Sequence, residues 1–280
     1  MDKILPHVRR KQMFQLLAEH GPLSRRGLKA CLYPPIEQRR LYEVIKRLLS
    51  GGLIVKRHYK SLGKDAQYYQ LTQQPEQLEK VAKVLGVNFG ELRQPHFSRI
   101  EMFHSETCAV WKELLKHLFP EARILREHEF YGDEQVSKLL LARGEDNETR
   151  PDLLIIAKSK VAYGSVTVAV EIEKNPKSRV RLLRKLIKYA TQSRLDGIIY
   201  VCEDTSLSDR LLNIYNSRVL DGALRIKHYG NNFFLFTDGT INLERTEPRM
   251  FNAALEPVSL INWITKLLNI EARSRRDAKF

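Results

Sequence analysis

The chain has 280 residues, 43% of them hydrophobic and 29% charged, which is ordinary for a soluble globular protein of one large or two modest domains. The net charge of +14 is unevenly distributed: residues 1–74 hold 15 Lys/Arg and 5 Asp/Glu, a net +10, and the rest of the chain carries only +4. A basic block of this kind indicates a polyanionic partner, most commonly nucleic acid. Because the sequence has no apolar run of 18 residues and opens with no signal peptide, we expect no membrane insertion and a cytoplasmic location.

The cysteines and histidines argue against two classes of site. Cys31, Cys108 and Cys202 stand far apart, and their odd number disfavours a disulfide framework. We therefore expect all three to be small buried side chains. The histidines form no His-x-His pair and no HExxH motif, which disfavours a metal site built from histidine.

Residues 1–74 are predicted to fold into three helices followed by a basic β-hairpin. The third helix is the most clearly marked, because its apolar residues recur at the spacing of a helix face and Gly51-Gly52 follows it. We expect helices at 8–20, 25–32 and between Pro35 and Gly51, with strands at 53–55 and 68–71. Three helices and a hairpin form the layout of a winged-helix DNA-binding domain.

The outward side chains of this domain are predicted to contact double-stranded DNA. A solvated helix face is the commoner explanation of a single charge run. Here the third helix and the hairpin both carry basic residues on one small unit, which favours contacts with phosphates. The predicted DNA-binding residues are Arg39, Tyr42, Lys46, Arg47, Lys56, Arg57 and Lys64.

A linking helix and a turn are predicted at residues 75–98, and a second domain at residues 99–280. The expected helices lie at 99–118, 178–194, 207–220 and 258–270, and the expected strands at 122–130, 152–157, 166–173, 197–202 and 233–237. This order predicts an α/β (α+β) fold with a mixed sheet flanked by helices.

Three carboxylates are predicted to meet at one end of this sheet. Asp152 precedes one strand, and Glu171 and Glu173, which project from the same face, end the next. If the two strands pair, the three carboxylates converge and repel one another unless a cation neutralises them. A hard divalent ion, Mg²⁺ or Mn²⁺, accepts such oxygen ligands. The alternative is that both glutamates face solvent on an edge strand, although the small Thr167 and Ala169 on the same face favour a partly covered surface.

Pro151-Asp152 followed by Glu171-x-Glu173 resembles the PD-(D/E)xK nuclease motif, and the element order over residues 99–202 is similar to the restriction-endonuclease-like core. The resemblance implies metal-dependent DNA cleavage, with Asp152, Glu171 and Glu173 as metal ligands. The family usually has lysine where this chain has Glu173. Lys185, on the following helix, is our candidate for the relocated lysine. Glu106, on the first helix, corresponds to an extra acidic ligand that the family often has.

A longer likeness covers nearly the whole chain. The winged helix is followed by His104-x-Glu106, Arg150-Pro151-Asp152, Glu171-Ile172-Glu173-Lys174 and Lys185-Leu186-x-x-Tyr189. This arrangement is similar to the MobC-type plasmid mobilisation relaxases and the related replication-relaxation proteins. The resemblance implies metal-dependent, site-specific nicking at a plasmid transfer origin, together with an accessory mobilisation protein. The histidine triad of the more widespread relaxases has no counterpart here.

Two other functions remain open at this point. One is a non-catalytic DNA-binding regulator of replication or transcription that has a nuclease-like fold. The other is a sequence-specific double-strand endonuclease, which needs a dimer to cut both strands. Tyr131, Tyr163 and Tyr189 are available for covalent attachment of a cut DNA end, and the sequence singles out none of them.

Overall fold

The computed structural model divides into two compact units, Met1–Glu113 and Leu114–Phe280. The division falls inside one long helix, so the first part of that helix belongs to the N-terminal unit, whereas the sequence assigned all of it to the second domain. The domain boundaries at residues 74 and 98 stay predictions. The structure describes residues 6–61, 64–92, 99–132, 136, 150–158, 165–174, 177–191, 195–216, 234–237, 250–252 and 254–267.

The N-terminal unit contains the helices expected from the sequence. They are α1 (Pro6–His20), α2 (Arg25–Cys31), α3 (Gln38–Ser50), α4 (Pro75–Leu85) and the first part of α5 (Arg99–Leu118). Ser24 caps α2 as predicted, because its side chain accepts a hydrogen bond from the Gly27 amide. The helical spacing of α3 buries Leu41, Ile45 and Leu48 in the core of this unit.

A three-stranded antiparallel sheet completes this unit, in the order β1-β3-β2. Its strands are β1 (Leu23–Ser24), β2 (Ile54–Ser61) and β3 (Lys64–Leu71). The hairpin of β2 and β3 is longer than the sequence predicts, since it pairs from Ile54↔Leu71 to Ser61↔Lys64. The backbone ladder needs no apolar side chains, so polar residues between the two predicted strands continue the pairing as far as Ser61↔Lys64.

The second unit is built on a mixed sheet of seven strands among the described residues, in the order β10-β9-β8-β7-β6-β5-β4. The strands are β4 (Arg123–Arg126), β5 (Leu153–Lys158), β6 (Ser165–Glu173), β7 (Gly197–Cys202), β8 (Phe234–Thr237), β9 (Met250–Asn252) and β10 (Pro257–Val258). β6 pairs antiparallel with β5 and parallel with β7. The central strands β5, β6 and β7 therefore lie next to one another in chain order.

Helices α6 (Arg179–Thr191) and α7 (Thr205–Tyr215) pack on this sheet. They share a hydrophobic core with the sheet, to which α6 contributes Leu182, Leu186 and Tyr189. β6 is an interior strand that is buried from Val166 to Glu173. The alternative of solvent-facing glutamates on an edge strand is therefore wrong.

The structure confirms the mixed α/β class and the order of elements, and it moves several boundaries. The strand expected at 122–130 ends at Arg126, whose amide donates to Glu129 Oε2, and a 3₁₀ helix (Glu127–Gly132) follows. The last helix covers 260–267, because Pro257–Val258 forms a short strand at the edge of the sheet. All three cysteines are free and buried, as predicted. The predicted helix ends at 192–194, 217–220 and 268–270 lie outside the described residues.

Candidate active site

The end of β6 brings two of the predicted site residues together. β5 and β6 pair with Leu153 opposite Val170, so the next position along places Asp152 beside Glu171. Asp152 Oδ2 accepts a hydrogen bond from the Ile172 amide at 2.7 Å, which ties the residue before β5 to the end of β6. The convergence that the sequence made conditional on strand pairing is present for this pair.

Glu171 is the centre of the cluster and is almost completely buried, with 1% of its side chain exposed. Lys185 Nζ donates a hydrogen bond to Oε2, and the Tyr189 hydroxyl donates one to Oε1. Residues four apart lie on the same face of a helix, so one turn of α6 supplies both donors. Lys185, the candidate for the relocated lysine, is therefore bound to Glu171.

Burial dominates the electrostatics of this group. It raises the pKa of Glu171 from 4.5 to about 7, against the lowering effect of Lys185, and the neighbouring Asp152 carboxylate raises it further. Burial lowers the pKa of Lys185, but Glu171 and Asp152 outweigh it and the net direction is upward. The lysine is therefore a cation at neutral pH, while Glu171 is held near its own midpoint.

Glu173 projects from the same face of β6 as Glu171 and is equally buried. Lys177 Nζ lies 2.9 Å from Glu173 Oε2. The contact is an ion pair without hydrogen-bond geometry, because this oxygen accepts no hydrogen bond from the residues that the structure describes. Glu173 is thus buried and held in an ion pair with Lys177.

The donor set has the oxygen chemistry that a hard divalent cation prefers. It consists of carboxylates, one of them raised in pKa by burial and one with a buried oxygen that accepts no hydrogen bond. In the described part of the chain, oxygens of Asp152, Glu171 and Glu173 do not all come within 4.8 Å of one another. Asp152 and Glu171 are the adjacent pair, and Glu173 is paired with Lys177.

Glu106, the proposed extra acidic ligand, has a different set of partners within the N-terminal unit. The Ser24 amide donates to its Oε2, and the Ser24 hydroxyl donates to Oε1 at 3.0 Å. Glu106 therefore fastens the start of α2 to α5. Neither contact is visible in the sequence, in which the two residues lie 82 positions apart.

A second group with metal-ligand chemistry lies in the N-terminal unit. Ligand atoms of Glu19, His20 and Glu113 all lie within 4.8 Å of one another. His20 Nε2 lies 3.0 Å from Glu113 Oε1, and Lys112 Nζ lies 2.7 Å from Glu19 Oε1. The protein itself supplies a cation to this group, which ties the end of α1 to α5.

The α3 residues predicted to bind DNA are presented on the outside of the N-terminal unit. Arg39, Lys46 and Arg47 are exposed, and Tyr42 exposes 56% of its surface. Arg39 Nε lies 3.5 Å from Glu43 Oε1, and surface ion pairs of this kind are weak. This arrangement leaves the α3 surface strongly basic.

The hairpin residues extend the basic character of the same unit. Lys56 and Arg57 are exposed on β2. The side chain of Lys64 lies outside the described residues, although its backbone pairs with Ser61.

Tyr189 and Lys177 are the cluster residues whose roles the sequence missed. The four-residue spacing of Lys185 and Tyr189 was the available signal, since it places both on one helix face. Tyr189 is fully buried, and burial together with Glu171 raises the pKa of its hydroxyl well above the usual value. These properties argue against Tyr189 as an attachment point for DNA. The side chain of Tyr131 and all of Tyr163 lie outside the described residues.

In the described part of the chain no helix is long and apolar enough to cross a bilayer.

Comparisons with known proteins found no relative of this chain. No protein-family model matches the chain, and neither the curated proteins nor the solved structures compared with it contain a match.

Proposed function

We propose that this protein is a metal-dependent DNA nickase of the relaxase type, which cuts one strand at a plasmid transfer origin and so initiates mobilisation. The observation that carries the proposal is the adjacency of Asp152 and Glu171 at the end of β6, with Lys185 bound to Glu171. Acidic oxygens beside a lysine are suited to phosphodiester chemistry, in which negative charge increases in the transition state.

Each group has a distinct role in this proposal. Asp152 and Glu171 would hold Mg²⁺ or Mn²⁺, with Glu173 as a further carboxylate ligand. The ion would supply Lewis acidity and lower the pKa of a water molecule bound to it. Lys185, which retains 13% exposure of its side chain, neutralises charge on the phosphate that enters beside Glu171. Tyr189 holds Glu171 in place through its hydroxyl.

DNA recognition is assigned to the N-terminal unit, which we propose is a winged helix. The exposed residues of α3 and β2 contact the duplex backbone, and their positive charge makes the affinity fall as salt rises. The plasmid origin as target, and an accessory mobilisation protein as partner, rest on the resemblance of the sequence motifs to mobilisation relaxases.

A non-catalytic DNA-binding regulator is the second candidate, and one observation favours it. Both oxygens of Glu171 are already bound, by Lys185 and Tyr189, inside a buried environment. A carboxylate that is held in this way can be one half of a structural ion pair, here with Lys185, in a protein that has a nuclease-like fold but does not cleave DNA. Regulation then depends on the basic N-terminal unit alone.

The test is strand cleavage by the full chain and its Asp152→Asn variant. Supercoiled plasmid, with or without the cognate origin, is incubated with Mg²⁺ or Mn²⁺, and the open-circular product is measured. Asp152→Asn keeps the size of the side chain and removes its charge, so we expect at least a hundredfold loss of nicking. Asp209→Asn is the matched control, because Asp209 is exposed on α7.

The outcomes separate the two candidates. Nicking that requires metal and Asp152 but not Asp209 supports the nickase. An Asp152→Asn protein that nicks at the wild-type rate excludes the proposed active site. A wild-type protein that binds the origin without cutting it under any of these conditions favours the regulator.

A further inference from the structure

Helix α6 has two sides with different chemistry. Leu182, Leu186 and Tyr189 are buried on the inner side, and Lys185 reaches Glu171. The helix contains arginines and lysines but no acidic residue from Arg179 to Thr191. The charged side chains on its outer side are therefore all positive. The packing of the core does not account for this positive charge.

The outer basic residues form a continuous row, here called the α6 basic stripe: Arg181, Arg184 and Lys188. Arg181 and Arg184 are exposed, and Lys188 is half-buried. At about 100° per residue the three lie within about 60° of the helix circumference, and Lys185 lies about 40° beyond Arg181. The stripe thus borders the lysine that belongs to the candidate active site.

The charges of Arg181 and Arg184 are not compensated by an ion pair within the described part of the chain. No carboxylate there forms an ion pair with Arg181 or Arg184, whereas Lys185 and Lys177 are paired with Glu171 and Glu173. Like charges in a row repel one another, and a polyanion relieves this repulsion. The stripe extends about 10.5 Å along the helix axis. One strand of duplex DNA carries a phosphate about every 3.4 Å of its axis, so the stripe matches about three phosphates.

We propose that the α6 basic stripe binds consecutive phosphates of one DNA strand and holds that strand beside Glu171 and Lys185. The inference rests on the proposed function and deepens it, because it names the surface that positions the cut strand. If the outer side of α6 were only a solvated helix face, its position next to the buried pair of Glu171 and Lys185 would have no functional meaning. An acidic protein or an anionic membrane could also neutralise the positive charge of the stripe, but neither is a substrate for the proposed nuclease site beside it.

The experiment measures binding apart from cleavage. The affinity of the full chain for a fluorescent DNA duplex is determined by anisotropy over a range of salt concentrations, with EDTA present so that no cutting occurs. Arg181→Gln with Arg184→Gln removes two phosphate contacts, so the slope of log Kd against log salt should fall by about 2. Arg210→Gln with Lys266→Gln is the control, because both residues are exposed and the net charge changes equally.

Two further arms make the result decisive. Arg181→Lys with Arg184→Lys keeps the charge and should restore most of the salt slope, which excludes misfolding as the cause. Vesicles containing phosphatidylserine and a polyglutamate peptide are tested for binding as rival polyanions. The proposal is overturned if the glutamine pair leaves the slope unchanged, if the control lowers it equally, or if the stripe binds only a rival polyanion. Plasmid nicking is measured separately. A protein that never nicks would contradict the proposed nickase function without contradicting DNA binding by the α6 basic stripe.

Discussion

Glu171 determines the chemistry of the second unit because it is a buried carboxylate that lies between a lysine and a second carboxylate. Lys185 supplies one positive charge, Tyr189 supplies a neutral donor, and Asp152 adds a second negative charge nearby. Removing one partner from a buried ion pair costs far more than breaking a surface pair. The cluster is therefore sensitive to any change in its charge, including the arrival of a cation.

The raised pKa of Glu171 predicts that metal binding depends on pH. Because its folded-state pKa, about 7, lies above the ordinary value of 4.5, the stability that Glu171 contributes is present at low pH and is lost as pH rises through about 7. A divalent ion needs the ionised carboxylate, so binding at pH 6 must first release a proton. We expect Mg²⁺ to raise the melting temperature more at pH 8 than at pH 6.

Differential scanning fluorimetry at both pH values, with and without Mg²⁺, measures this difference. Glu171→Gln should remove both the Mg²⁺ shift and its dependence on pH. Glu203→Gln should preserve them, because Glu203 is exposed. An equal Mg²⁺ shift at the two pH values in the wild type contradicts the role of Glu171 as a ligand.

At the scale of elements, the sequence predicts what depends on local periodicity. The apolar spacing of α3 and the order of helices and strands were visible in the sequence, and the structure confirms both. The contact between Asp152 and the end of β6 followed from the assumption that two successive strands pair, which they do.

Contacts between residues that are far apart in the sequence could not be predicted from local periodicity. Glu106 resembled an acidic ligand in sequence, yet it binds Ser24, because only the folded chain brings α5 to the start of α2. Lys177 was likewise invisible as the partner of Glu173. Residue type and spacing identify groups with suitable chemistry, but tertiary packing decides which group each of them meets.

The fit between α2 and α5 gives a prediction at this scale. A Cβ on Gly27 would lie 2.6 Å from Glu106 Oε2, so Gly27→Ala must displace a carboxylate that binds Ser24. Losing such a hydrogen bond costs about 1 kcal/mol, although alanine itself favours a helix by a similar amount over glycine. In a Glu106→Ala background the clash is absent, so the same substitution should become stabilising.

A double-mutant cycle of urea unfolding measures this coupling, which we expect to be about 1 kcal/mol. Gly90→Ala serves as the control, because a Cβ there meets nothing within 4 Å. Identical effects of Gly27→Ala in the two backgrounds would show that Glu106 and α2 are not coupled.

At the scale of the whole molecule, the compact N-terminal unit extends further along the chain than its basic composition does. The basic composition ends near residue 74, and the predicted winged helix ends with it. The compact unit continues to Glu113 and includes the first part of α5. The distribution of charge along the sequence predicts a binding surface, whereas the extent of a folding unit depends on which residues are buried together.

Truncation after residue 74 should therefore weaken the N-terminal unit. The fragment would lack Glu113, the partner of the fully buried His20, and Phe103, whose ring lies 5.9 Å from that of Tyr68. A buried polar group that loses its partner costs about 1–3 kcal/mol, and stripping α5 from the core exposes apolar surface as well. We expect residues 1–118 to unfold cooperatively at a clearly higher temperature than residues 1–74, as measured by circular dichroism. A fragment of residues 1–92 separates the contribution of α4 from that of α5. Equal melting temperatures for the shortest and longest fragments would mean that the N-terminal 74 residues fold independently, and that α5 only rests on them.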